Sequence, residues 1–529
     1  FFEQEFFDVG QVEVLRGPQG TLYGRNATAG VVNITTAKPS DQFEAMASGE
    51  IGNYHQKRLE GMINLPIVDD RLDIRVAGEW TKRQGYSFND LTGSRIDGRD
   101  LWSSRVSIGL KPFEGMQTTL IWEHFSENDD RMRTAKQLCH RQSIPDLFGG
   151  DAAGSTGGTD VFLPANYGSQ GCQMSSLYSP EAFEVPNGFS LPYYFGVGAA
   201  GLPITGKDPY VNRTQSQNLR VIETAFNPVY RVKNDIVEFN SDYAVTPELT
   251  FTSQTSFNHD FLWSMEDYNR FNTSPGVFAG FDGDSRFTPD GLNQCDTNGQ
   301  NCIPGGTFCD PQIGCSDRLV LEDLSDEHAW QLSQEFRLAS NFGGPLNFSA
   351  GGNYLHYETD EDYYVFINSL TAYAAGTGTA CGYHGGCAPW VVGQSDNSSC
   401  LFNGYILPVP SDFHGVGDCA YIDPNPVSSL DGNGHNYFRS QNPYVLNSYA
   451  AFGELYYNIF SDLKLTAGLR WTEDQKHFVE IPSELLVGGW GYPITGDLNQ
   501  TWDQFTGRVA ANWTPKLDFT DQTLIYGSY

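Results

Sequence analysis

Segments in which every second residue is apolar constrain this chain more than any other feature. From Arg71 to Lys82, Leu72, Ile74, Val76 and Trp80 fall on one side, while Arg71, Asp73, Arg75 and Glu79 fall on the other. Trp102, Val106, Ile108 and Leu110 alternate with Ser103, Arg105 and Ser107. Trp330, Leu332, Phe336 and Leu338 alternate with Gln331, Ser333, Glu335 and Arg337, and the stretch from Leu463 to Trp471 repeats the pattern. A period of two marks a β-strand with one apolar and one polar face. Many of these segments run about ten residues, enough to cross a bilayer when tilted. A soluble sandwich would press the apolar face on a second sheet. An outer-membrane barrel would turn it to lipid and its polar face to the lumen.

The connections separate these two architectures. Thirteen strands are expected, near 43–53, 56–66, 71–84, 100–110, 116–126, 234–246, 249–263, 329–341, 346–357, 446–460, 463–478, 501–514 and 523–529. Alternate connections are short: Ile67–Asp70, Lys111–Gly115, Pro247–Glu248, Phe342–Pro345, Ser461–Asp462 and Pro515–Gln522. Apart from a tight first one, those between them are long: 85–99, 127–233, 264–328, 358–445 and 479–500. Sorting short turns to one end and long loops to the other is the habit of outer-membrane barrels, not of sandwiches. Trp80, Trp122, Trp471 and Trp513 sit near strand ends, where interfacial aromatic girdles belong. No stretch reaches the roughly 18 uninterrupted apolar residues of a membrane helix. An odd strand number and a final strand without a closing turn lead us to expect a sequence incomplete at its C-terminus, since an open edge in lipid is prohibitively costly.

The ten cysteines fall in three of the long connections: Cys139 and Cys172; Cys295, Cys302, Cys309 and Cys315; Cys381, Cys387, Cys400 and Cys419. None shows zinc-ligand spacing, so no metal is expected and disulfides within each group are, in an oxidising compartment. The net charge of -32 argues against nucleic acid as a partner, because phosphate neutralisation needs clustered Lys and Arg. There is no signal peptide at the start, and the N-terminal end of the gene product is expected to be absent.

Before the first of these strands runs Val12-Glu-Val-Leu-Arg-Gly-Pro-Gln-Gly-Thr-Leu-Tyr-Gly-Arg-Asn-Ala-Thr-Ala-Gly-Val-Val-Asn-Ile-Thr-Thr-Ala-Lys-Pro39. Read alone it is a strand, a Gly-Pro turn, a glycine-rich hinge and a second strand, with Gly17, Gly20, Gly24 and Gly30 free to take positive φ. The run closely resembles the end of the plug domain of TonB-dependent outer-membrane receptors. Gln331–Ser340 also resembles a barrel strand of that family. Ala29 departs from the pattern, where many relatives carry a second glycine.

The resemblance implies an all-β fold: a transmembrane antiparallel β-barrel of 22 strands, about 13 of them present here, with a plug in its lumen. Residues 1–40 would be the last part of the plug and residues 41–529 the barrel with long extracellular loops. It further implies plug–barrel contacts through Glu13, Arg16, Gly17, Pro18, Gly20, Tyr23 and Gly24, with Glu335 and Glu454 as acidic partners on the inner wall. Buried charges require pairing, so each such pair is structural.

Active import of a scarce solute follows, most often a ferric siderophore in this family, with an oligosaccharide or other organic nutrient as the alternative. TonB, reached through an absent N-terminal box, and the inner-membrane energising complex would be partners. Outer-membrane lipid and lipopolysaccharide, a metal chelate or glycan ligand and a surface lipoprotein complete the expected partners. No cofactor and no nucleotide motif is expected. An outer-membrane enzyme would need Ser/His or paired carboxylates at the rim, and the histidines are scattered. A passive porin is opposed by the plug-like block. Loops 264–328 and 358–445 are acidic, which disfavours polyanionic cargo. Tyr193, Tyr194, Tyr363, Tyr364, Trp390 and Tyr405 are the candidate stacking surfaces for a ligand.

Overall fold

The computed structural model describes the chain outside residues 1–4, 142–146, 149–162, 165–171, 187–208, 211, 279–305, 370, 372–399, 403–404, 408–425, 430–437 and 480–495. Two strands, β1 (Val9–Arg16) and β2 (Gly30–Thr36), pair with each other and with nothing else. They form a hairpin apart from the main sheet. The rest of the strand content is dominated by one antiparallel meander. Its members are β3 (Glu44–Gly52), β4 (Gln56–Val68), β5 (Leu72–Arg83), β6 (Arg99–Leu110), β7 (Met116–Asp129), β8 (Val229–Thr246) and β9 (Leu249–Asp267). It continues through β10 (Leu321–Ser340), β11 (Leu346–Ile367), β12 (Tyr444–Phe460), β13 (Leu463–Val479), β14 (Asp497–Trp513) and β15 (Ile525–Ser528). Each strand pairs with the next of the series, and a short strand, Phe438–Gln441, adds to the outer half of β11.

Side-chain exposure decides between sandwich and barrel. On β5, β6 and β7 the charged residues are the hidden ones: Glu79, Arg105 and Glu123 are almost wholly buried. Their apolar neighbours are the exposed ones, with Trp102 at 43% and Trp122 at 44%. Burying charge while exposing large apolar side chains is untenable for a protein bathed in water on its outer face. It is the distribution required when lipid surrounds the wall and polar groups meet inside. Leu120, Val237, Phe239, Phe251, Phe257 and Phe336 continue the exposed apolar band across β7–β10. Trp80 pairs across the ladder with Trp102, and the Trp513 Nε1 donates to Asp462 at 3.2 Å beside a short turn.

The strands are longer than their alternation suggested, and in β8, β10 and β11 the growth is at the long-loop end. β8 begins at Val229 rather than near 234, β10 at Leu321 rather than 329, and β11 continues to Ile367. In the β10 extension both faces are covered: Leu324, Glu322 and Asp323 are all buried. Once packing removes the contrast between faces, the period of two vanishes from the sequence. Connection 85–99 likewise contains two three-residue strands, Ser87–Asn89 and Ser94–Ile96, the first paired in parallel with Val221–Ile222.

Candidate functional site: a hairpin docked on the lumenal wall

The block singled out in the sequence folds as a tight hairpin. Register runs from Arg16 opposite Gly30 to Val9 opposite Thr36. The Gly17 amide donates to the Ala29 carbonyl at 3.1 Å and that of Gln19 to Ala27 at 2.8 Å, so the turn is closed by backbone bonds. The stretch expected to be a loose hinge is instead one helical turn, α1 (Gly20–Tyr23). Its ladder includes Tyr23 N–H to Gln19 O and Gly24 N–H to Gly20 O. Two glycines are structurally required. A Cβ at Gly30 would lie 2.6 Å from the Leu15 carbonyl oxygen. Gly24 has φ +77° and would place a Cβ 3.2 Å from the Arg470 guanidinium.

The segment is held at two places on the inner wall. Just before β1, Asp8 accepts a forked pair of hydrogen bonds from Arg75 of β5, at 2.6 and 2.8 Å. Arg75 also reaches Glu44 at 3.1 Å. Next to it, the Phe7 ring is covered by the Arg105 guanidinium at 4.4 Å, and the same arginine donates to the Phe7 carbonyl and to Glu123. The second hold lies on β12–β14. Arg25 donates to Asp474 at 2.7 Å and to Ser448 at 2.8 Å, while Arg508 donates to the side-chain oxygen of Gln19 at 2.8 Å. Thr21 packs so closely that a Cβ at Gly468 would come within 2.8 Å of its methyl group. One short segment thus touches early and late strands, so the sheet curves around it.

Residues expected to make these contacts are distributed differently. Glu13 accepts from Gln11 and Asn33, both at 2.9 Å, within the hairpin itself. Arg16 is exposed at the end of β1 and forms no ion pair among the described residues. Among the described residues, neither Glu13 nor Arg16 forms the expected ion pair with a charged residue of the wall. In a two-stranded ladder their side chains are directed by pleat and pairing, and Asn33 lies directly across from Glu13. Glu335 and Glu454 do face the lumen. Glu454 is buried, with Arg508 at 3.9 Å and the Tyr456 hydroxyl donating to it at 2.9 Å. Glu335 has Arg337 and Arg470 as its charged neighbours. Gly17 stands beside the Ser528 hydroxyl, whereas Pro18 and Tyr23 are exposed. The anchors missed from sequence are Phe7, Asp8, Gln19 and Arg25. They lie outside or between the matched glycines, and nothing in their local pattern marks them.

Above the membrane-spanning part, the wall forms a polar vestibule. Arg133 pairs with Asp323 and lies 3.9 Å from Glu266, which also pairs with Arg270 at 3.0 Å. The hydroxyls of Tyr268 and Tyr363 lie 3.0 Å apart, and burial raises the pKa of both phenols. Burial also pushes Asp267 up to about 6 and Glu322 to about 8, the latter further raised by Asp267, Asp310 and Asp323. Tyr363 is therefore a vestibule residue. Tyr364 is buried against Phe366. Tyr193, Tyr194 and Trp390 lie outside the described residues, as does the Tyr405 side chain.

Cys139 is bonded to Cys172 and Cys309 to Cys315. Cys295, Cys302, Cys381, Cys387 and Cys419 lie outside the described residues, as does the Cys400 side chain. Cys139 belongs to a small loop core with Val185, Tyr210 and Phe271. Among the described residues no group of His, Cys, Asp and Glu is placed to hold a metal.

These features define a class: an outer-membrane β-barrel with a separate piece of chain docked on its lumenal face. By sequence and by fold, the chain is similar to the TonB-dependent outer-membrane receptors. It is 26% identical over 353 residues to the pesticin receptor of Yersinia enterocolitica, an alignment covering 63% of this chain and 48% of that protein. It is 35% identical over 83 residues to the catecholate siderophore receptor Fiu of Escherichia coli, covering 16% of this chain and 11% of that one. The chain spans about half the length of the pesticin receptor.

Among solved structures it is similar to the ferric yersiniabactin uptake receptor FyuA from Yersinia pestis. The TM-score is 0.55 at 14% identity, covering 99% of this chain and 52% of that one. The siderophore receptor PiuA from Acinetobacter baumannii gives 0.52 at 13% identity, with 99% and 54% covered. No family model matches the chain.

Proposed function

We propose that the chain is part of a receptor that imports a scarce solute through the outer membrane by TonB-dependent transport, with a ferric siderophore as the leading cargo. The observation that carries this reading is the hairpin held on the polar inner wall by Asp8–Arg75 at one end and Arg25–Asp474 at the other. A wall that grips an inserted segment through ion pairs is blocked until those pairs part. Work done on the inserted segment, supplied by TonB and the inner-membrane energising complex, then becomes the means of opening. In this reading residues 1–40 are the end of the plug and residues 41–529 the barrel wall with its extracellular loops. The chain's own part is to bind cargo, hold the gate and release it. It performs no bond chemistry, in keeping with relatives named as receptors.

The acidic sequences of connections 264–328 and 358–445 favour cargo that is neutral or cationic at its outer surface. Tyr268 and Tyr363 also offer faces on which sugars or aromatic groups could stack, which favours an oligosaccharide as the second reading. Uptake of labelled ferric siderophores and oligosaccharides by cells with and without an energised inner membrane tests both. Import that persists after the proton gradient is collapsed would rule out the energised mechanism, and exclusive glycan uptake would replace the leading cargo.

A further inference from the structure

On the lipid side of β8, Arg231 and Lys233 are exposed and point the same way, two residues apart and so about 7 Å from each other. Neither forms an ion pair among the described residues. The contrast with β5 and β6 is informative, because there Lys82 is matched by Asp100 at 2.5 Å. The nearest acid on the same face, Asp235, already accepts from the His124 ring at 2.9 Å and from Trp122 Nε1 at 3.2 Å. The next acid, Asp326, lies 3.7 Å from His328.

The two cations stand on an aromatic shelf. The Arg231 guanidinium lies over the Trp263 ring at 4.8 Å. Lys233 is flanked across its ladders by Ser126 and Phe261, with Trp102 one strand further on. Below them begins the exposed apolar band of Trp122, Val237, Leu120 and Phe239. Aromatic rings at the top of such a band mark the headgroup level of a bilayer, where anionic lipid attracts nearby basic residues.

We propose that Arg231 and Lys233 form a seat for the phosphate of an anionic outer-leaflet lipid, whose acyl chains lie along Val237, Phe239, Leu120 and Trp122. The proposal rests on the outer-membrane reading of the wall. An arginine already stacked on Trp263 offers a fixed fork to a phosphate, and a flexible lysine beside it closes the other side.

The test uses the chain folded into phosphatidylcholine nanodiscs and titrated with diphosphorylated lipid A, with retained lipid counted by native mass spectrometry. Lipid A stripped of its phosphates provides the comparison. Binding should be about thirtyfold weaker in the Arg231→Gln/Lys233→Gln variant, the effect of two basic residues at an anionic surface. The charge-preserving Arg231→Lys/Lys233→Arg pair should restore most of it, and added salt should weaken wild-type binding more than that of the Gln variant. Equal retention by wild type and the Gln variant, or equal binding of phosphorylated and dephosphorylated lipid A, overturns the seat while leaving the barrel intact. A wild-type protein in which a spin label at Phe239 is out of reach of acyl chains, while its β8 face stays folded, overturns the lipid-facing reading of the wall and the seat together.

Discussion

Asp8 and Arg75 meet as a forked carboxylate–guanidinium pair in which each side chain is only 7% exposed. They bind a segment outside the sheet to β5 of the wall, 67 positions further on. Among the described residues, neutralising Asp8 leaves the buried Arg75 guanidinium only Glu44, whose side chain is 45% exposed, as its ion-pair partner, at a cost of about 1–3 kcal/mol. Asp8→Asn should therefore free the region around β1 from the early strands while the wall stays folded. Hydrogen exchange of residues 7–16, alongside the heat-dependent gel mobility of the barrel, measures both. Unchanged protection of residues 7–16 would show that the pair holds nothing.

Gly24→Ala should weaken the other end. With φ +77° and ψ −133° the position suits only glycine, so an alanine costs roughly 1–3 kcal/mol, and its methyl group presses on Arg470. We expect the Arg25–Asp474 contact to be lost in a fraction of molecules. Amide hydrogen exchange at residues 19–25 should then be faster in the Gly24→Ala chain than in the wild type. Equal rates would mean that the turn accommodates alanine.

The lipid-facing assignment gives a third expectation. Replacing outward Phe239 by arginine should destabilise the folded wall by about 2–4 kcal/mol, as charge on the lipid face of a barrel does. The reading is the denaturant midpoint of the chain refolded in lipid. A surface strand of a water-soluble sheet would tolerate the change with little loss.

Acidity should tighten the vestibule. Glu322 has its ordinary pKa near 4.5 when unfolded and about 8 in place, where burial disfavours its charge, and Asp267 rises to about 6. A group whose folded pKa is raised binds more protons folded than unfolded between those two values. Its contribution is complete below about 4.5 and is lost as pH climbs towards 8. Local opening around residues 319–324, measured by hydrogen exchange corrected for intrinsic rate, should thus be rarer at acid pH. Glu322→Gln should flatten the dependence. A vestibule that opens more readily on acidification contradicts the assignment.

Reduction provides the fifth test. Cys139–Cys172 closes a separation of 33 residues and sits in the loop core with Val185, Tyr210 and Phe271. Such a link stabilises by about 2–4 kcal/mol, so mild reductant should expose residues 131–141 and 172–186 to protease. The strands, which contain no cysteine of that pair in the membrane band, should remain protected. Collapse of the entire wall would place the bond at the heart of the fold.

The wall is legible in the sequence because lipid on one side and polar groups on the other write a period of two into β5, β6 and β10. Where loops cover both faces, as at Leu321–Glu327, that signal is erased and the strand becomes readable only once it reaches the membrane. The glycine-rich block is legible as a family resemblance, but its docking chemistry is not. Arg16 looks like the natural wall contact because it lies within the matched run. Yet Arg25 and Asp8 do the binding, and their partners are decided by the curvature of the sheet. A side chain's reach across a lumen has no local spelling.

The two ends of the docked segment also differ in when they can form. Asp8 meets a strand 67 residues downstream, but Arg25 must wait for Asp474, 449 residues away. Closing the second contact demands far more chain, and contacts of such span are slow to gather. The first of these contacts can therefore gather while only the early staves exist, and the second has to wait until β13 is laid down, so one pin of the segment is driven long before the other.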